Sequence, residues 1–114
     1  MKVSVKGSQD GSWGLAQSDL SKLREANYHG AIDEWLKRHG SRTVLCFVQF
    51  KNAKLNEMPR LYLARPSEIA ERLKATAKGR GDTILYEKHA WTGRAHGAGT
   101  IEQIPELGVV RAQD

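Results

Sequence analysis

Thr43-Val44-Leu45-Cys46-Phe47-Val48-Gln49-Phe50 is the stretch on which the fold turns. It is almost continuously apolar and rich in β-formers, and its eight residues suit a strand better than a helix. A run of this kind is expected to be buried on both faces, which predicts a central strand. Lys51-Asn52-Ala53-Lys54-Leu55-Asn56-Glu57 follows as a polar link short enough for a hairpin. Pro59 limits the start of the next strand, Arg60 to Ala64. Pro66-Ser67-Glu68 then opens a helix in which Ile69, Leu73 and Ala77 recur every four residues, with Gly79 as its cap.

Upstream of the apolar run, Ile32, Trp35 and Leu36 line one side of a helix that begins near Ala31 and stops at Gly40. Asn27-Tyr28-His29-Gly30 reads as a loop before it, and Ser18-Asp19-Leu20 as a short helix. Val3-Ser4-Val5-Lys6 has the alternation of a half-buried strand, and Trp13 with Leu15 marks a second, short one. Thr83-Ile84-Leu85-Tyr86 is a further strand. The chain turns glycine-rich after Trp91, and about residues 98–114 are expected to form a loosely packed tail. The predicted fold class is α/β (α+β): one domain over residues 1–114, with a mixed sheet flanked by two main helices.

A chain of 114 residues has room for one core, and its 39% apolar residues are clustered enough to build it. A single cysteine excludes an intramolecular disulfide. Within its apolar run Cys46 reads as a buried small hydrophobe; a nucleophilic thiol needs an open, electropositive setting. No stretch approaches the ~20 apolar residues of a membrane helix, and the first residues lack the centre of a signal peptide. A cytoplasmic location is therefore expected. Eighteen Lys and Arg against thirteen Asp and Glu give a net charge of +5, which favours anionic partners such as DNA or RNA.

Lys6 is the leading site candidate. With Val3 and Val5 anchored in a core, Ser4 and Lys6 project from the opposite face, next to a glycine turn. An ammonium fixed there stabilises charge developing on a phosphate. The alternative is a solvated lysine on an edge strand.

Val5-Lys6-Gly7-Ser8, the helix after it, the strands Val44 to Phe50 and Leu61-Tyr62-Leu63, and the helix from Pro66 to Ala70 resemble a known arrangement. They are similar, in order of elements over residues 2–87, to the lysine-bearing half of the PD-(D/E)xK, or restriction-endonuclease-like, superfamily. Lys6 is the one motif residue that carries this resemblance. It implies a partial restriction-endonuclease-like core and a nuclease acting on nucleic-acid phosphodiesters, with Lys6 catalytic and Gln9 positioning water or phosphate. It also implies Mg²⁺ held by an Asp on a preceding strand and by a carboxylate two residues before the lysine. Here that position is Ser4, and the Asp strand would lie before Met1. The expectation is a nuclease fragment or degenerate homologue, inactive alone. Mg²⁺ enters only if a missing segment or a partner chain supplies the acidic strand.

Lys2, Lys51, Lys54, Arg80 and Arg94 are the candidate phosphate contacts, with Trp13, Tyr28 and Trp91 available to stack on bases. The alternative is core-edge aromatics and solvated cations. His29 with Asp33 is a weaker candidate for a metal pair, and His89 and His96 read as surface residues. Gly93 to Gly99 lacks the strand before it and the Gly-Lys-Ser/Thr after it that a phosphate loop needs. Two further functions compete: a non-catalytic nucleic-acid-binding domain, and an interaction module forming a homodimer through an exposed sheet edge.

Overall fold

The computed structural model describes residues 2–23, 25–87, 100–104 and 109–112. Its centre is β3 (Thr43–Gln49), as the apolar run predicts. β3 pairs in parallel with β1 (Lys2–Ser8) and antiparallel with β4 (Arg60–Ala64), giving a mixed sheet of order β1-β3-β4. The register sets Ser4 beside Leu45, Lys6 beside Phe47 and Ser8 beside Gln49, while Val3 and Val5 lie beside Val44 and Cys46.

Burial along β3 alternates. Thr43, Leu45, Phe47 and Gln49 are buried, whereas Val44, Cys46 and Val48 are only half-buried. The expectation of burial on both faces is therefore corrected, because the helices cover one side alone. Cys46 accordingly lies half-buried on the open side rather than deep in the core.

The covered side is closed by α2 (Tyr28–Lys37) and α3 (Pro66–Ala75). Ala31, Ile32 and Trp35 from α2 join Ile69, Ala70 and Leu73 from α3 over Leu45, Phe47, Tyr62 and Ala64. β2 (Ser12–Gly14) and β5 (Ile84–Tyr86) form an antiparallel ribbon that adds Trp13 and Leu85. Trp13 meets Phe47 and Tyr62 edge-on, with ring centroids 5.2 and 5.9 Å away. α1 (Gln17–Ser21) carries buried Asp19, which takes two hydrogen bonds from Arg38 at 2.7 and 3.2 Å. β6 (Ile101–Ile104) and β7 (Val109–Ala112) form a hairpin against β4, and Ile101 belongs to the core.

Both main helices depart from their predicted ends for local reasons. α2 starts at Tyr28, inside the predicted loop, because the Asn27 side chain accepts from Gly30 N at 2.9 Å and caps the first turn. α3 starts at Pro66, as predicted, with the Glu68 carboxylate returning to Arg65 N at 3.1 Å. It ends at Ala75, short of Gly79, since Ala77, Lys78 and Gly79 all take positive φ (56°, 58° and 93°). Among the described residues no helix is long and apolar enough to cross a membrane.

Candidate functional site

Lys6 is held differently from the sequence expectation. Val3 and Val5 are 58% and 63% exposed, so they do not anchor it in a core. Ser4, Lys6 and Ser8 are the partly buried residues of β1, on the side shared with Phe47. What fixes Lys6 is its backbone: the strand is laddered to β3, and Trp13 donates its indole N–H to the Lys6 carbonyl at 3.1 Å. The buried indole thereby ties the lysine's main chain to the aromatic cluster.

A groove of about 430 Å³ opens beside it. Its lining runs continuously from Val5 to Asp10, with Lys6 and Gln9 in it, and includes Trp13 and Leu15. The structure thus brings the two predicted catalytic residues, Lys6 and Gln9, to one groove and adds Asp10 to them. Among the described residues the Lys6 ammonium forms no ion pair.

The loop that shapes the groove is built from short side chains. Asp10 Oδ1 accepts from Ser8 Oγ at 2.9 Å, Ser12 Oγ at 3.0 Å and Ser12 N at 3.0 Å. These bonds, the Ser12 backbone amide first, hold the Asp10 carboxyl below its ordinary value. Gly11 follows at φ 88°, where a side chain would be strained. Fully buried Gln49 accepts from Gly11 N at 3.2 Å and Lys51 N at 3.1 Å, pinning the loop to the end of β3. Asp10 and Gln49 escaped the sequence reading. The alternation Ser8-x-Asp10-x-Ser12 was the available signal for the first; the second sits in an apolar run and had none.

His39 follows α2, close enough to Lys6 and Lys2 to feel their charges. Its ring stacks edge-on against Trp35 at 4.7 Å. Burial, then the positive charges of Lys6, Arg38 and Lys2, push the imidazole below its ordinary value, with Asp19 partly opposing them. Lys2 and Lys6 therefore act on a common point, and the covered side of β1 is electropositive.

The other predicted contacts are scattered. Lys51 folds over the Gly11 turn, where its Cδ would lie 3.2 Å from an added Cβ, so it sits near the groove. Lys54 is exposed in the β3–β4 link. Arg80 stacks on Tyr28, 4.6 Å from the ring centroid, and donates to Gly81 O at 3.2 Å. Trp13 is buried and unavailable for stacking on bases. Arg94, Trp91, His89, His96 and the Gly93–Gly99 stretch lie outside the described residues. His29 and Asp33 do not form a metal pair: His29 Nε2 meets Gly79 O at 2.6 Å, and Asp33 bonds Lys74 at 2.5 Å.

Mg²⁺ takes carboxylate oxygens together with water and substrate phosphate. Among the described residues lining the groove, Asp10 has the one carboxylate, and its Oδ1 already accepts three hydrogen bonds. Ser4 supplies only a hydroxyl, and among the described residues no three His, Cys, Asp or Glu side chains cluster as metal ligands. The donor set of this groove does not by itself fit a divalent ion. No family model, curated protein or solved structure matches this chain.

Proposed function

We propose that this chain is the lysine-bearing part of a PD-(D/E)xK-like nuclease fold, a fragment or degenerate homologue that holds nucleic-acid phosphates in the Lys6 groove. The observation that carries the reading is Lys6: its backbone is fixed, its ammonium has no carboxylate partner among the described residues, and it lies near Gln9 in an open groove. The parallel pairing of β1 with β3 across α2 agrees with the order of elements that the resemblance implies. Lys6 would meet a phosphate oxygen, Gln9 would orient it, and Lys2 and Lys51 would extend the contact along the backbone. Cleavage requires carboxylates from another segment or from a partner chain. Without them the domain binds DNA or RNA and does not cut.

Titrating fluorescent DNA and RNA oligonucleotides across a salt series tests this. The logarithm of the binding constant should fall linearly with the logarithm of salt concentration. Lys6→Ala should make that slope shallower by about 0.7–0.9, the loss of one phosphate contact. No binding at low salt, or binding indifferent to salt, removes the proposal. A chain extended by an upstream acidic strand should cleave in Mg²⁺ or Mn²⁺, and an upstream frame without such a strand leaves the binding reading alone.

A further inference from the structure

Among the described residues β1 is an edge strand. Lys2 N donates to Arg42 O at 3.1 Å and Phe50 N donates to Ser8 O at 2.8 Å, so its even-numbered residues carry the ladder to β3. Alternate residues of a strand send their N–H and C=O the opposite way, which points those of Val3, Val5 and Gly7 at the free edge. Such edges are usually blunted by proline, a bulge or an inward charge. β1 has no proline and runs in unbroken register; Lys2 and Lys6, on the covered side, are the one such device it carries, and the register of pairing decides whether they oppose association. Beside that edge the open side of the sheet is apolar throughout: Val3 and Val5, then Val44, Cys46 and Val48, then Leu61 and Leu63. Leu63 is 44% exposed, in addition to the two valines.

We propose that this edge is closed by a second copy of the chain, β1 pairing antiparallel with the partner's β1 about a two-fold axis at Val5. The sequence of the strand selects this register. With Val5 facing the partner's Val5, Val3 faces the partner's Gly7, and each facing pair exchanges two backbone hydrogen bonds. On the covered side Lys2 then faces the partner's Ser8, and Lys6 faces the partner's Ser4. A slip of two residues one way sets Lys2 against the partner's Lys6. The same slip the other way sets Lys6 against the partner's Lys6. Like charges directly opposite are destabilising, so lysines at positions 2 and 6 with serines at 4 and 8 make the strand complementary to itself in one register. The result is a six-stranded sheet with a continuous apolar side, built by the isologous contact usual in homodimers. The two Lys6 side chains become diagonal neighbours, and their residual repulsion is screened by salt.

Sedimentation over a dilution series from micromolar to millimolar should show a monomer–dimer equilibrium that tightens as salt rises. Nucleic-acid binding at the groove weakens with salt, so the two readings succeed or fail separately. Val5→Lys, at an exposed position, should weaken the dimer about tenfold or more while the thermal melt of the monomer is unchanged. Ser4→Asp should tighten it by facing the partner's Lys6. If Val5→Lys does not fold, Val5→Cys in a Cys46→Ser background takes its place. A hydrogen-bonded antiparallel pair has Cα atoms ~5.5 Å apart, within disulfide range, so this variant should crosslink to itself under mild oxidation. A strict monomer at millimolar concentration overturns the proposal. So does a dimer unaffected by Val5→Lys, or an edge whose Val3, Val5 and Gly7 amides gain exchange protection only when nucleic acid is added.

Discussion

Both sides of the β1-β3-β4 sheet carry large apolar side chains, and these meet opposite surroundings. Phe47 on one side is fully buried beneath α2 and α3; Val5, on the neighbouring strand but the other side, is 63% exposed. Composition therefore does not say which side of a strand is the core. What decides is where the crossover elements lie: α2 and α3 cover the side of Leu45, Phe47, Tyr62 and Ala64, and the chemistry-bearing residues of β1 are on that side too. The covered side positions the Lys6 side chain, and the groove beside it reaches round the β1 edge to Val5 and Gly7, while the rest of the open side is left for association.

The contrast can be broken most sharply by matched truncations. Phe47→Ala removes a buried ring that touches Trp13, and it should cost about 3–5 kcal/mol of unfolding free energy. Val5→Ala removes branched methyls from a mostly exposed position, and it should cost less than about 0.5 kcal/mol in the monomer. Urea denaturation at low protein concentration measures both. Equal losses would mean that the open side is packed against something and that the comparison is misdrawn.

A smaller effect tests the electropositive setting of the covered side. Burial, then Lys6, Arg38 and Lys2, lower the His39 value. Its folded value lies below its unfolded value of 6.5, so the unfolded chain binds the proton first as pH falls. The associated stability is intact above pH 6.5 and is lost as pH drops through the folded value. His39→Gln should flatten the fall in stability that begins as pH drops below 6.5, while carboxylate titrations at lower pH persist. In the wild type, a phosphate arriving beside Lys6 should raise the His39 midpoint, an effect readable in its ring proton resonances. A midpoint that does not move on nucleic-acid binding would place the phosphate away from Lys6.

Much of this architecture was legible because its signals are local. The β3 run, Pro59 and Pro66, and the four-residue spacing of Ile69 and Leu73 each mark an element within a few residues. The orientation of β1 was not. Val3 and Val5 look like core residues in any window, and their exposure follows from the placement of α2 and α3, which begin at Tyr28 and Pro66, far along the chain. The start of α2 was obscured by Gly30, a poor helix former, whose amide is the one that Asn27 caps. Gln49 carried no local mark because its role, pinning Gly11, spans 38 residues. The site reading reached Lys6 and Gln9 through their neighbours in sequence. Asp10, one residue further, emerged only when the loop's hydrogen bonds were in place.

The helical layer offers the mildest way to sharpen the comparison, because it can be strengthened without touching either side of the sheet. Lys78 is exposed and sits at φ 58°, between Ala77 at 56° and Gly79 at 93°. A side chain in the left-handed region crowds the following carbonyl, at roughly 1 kcal/mol, whereas glycine meets no such clash but loses more freedom on folding. The net gain expected for Lys78→Gly is about 0.5 kcal/mol, or ~2–4 °C in Tm. Lys78→Asn should give a similar rise with less entropy lost. The turn docks on α2 through His29 and Gly79, so the stabilisation belongs to the covered side. It should leave the monomer–dimer equilibrium and the salt slope of nucleic-acid binding where they were. If either moved with Lys78→Gly, helical layer and open edge would be coupled, and the two sides of the sheet would have to be treated as one system.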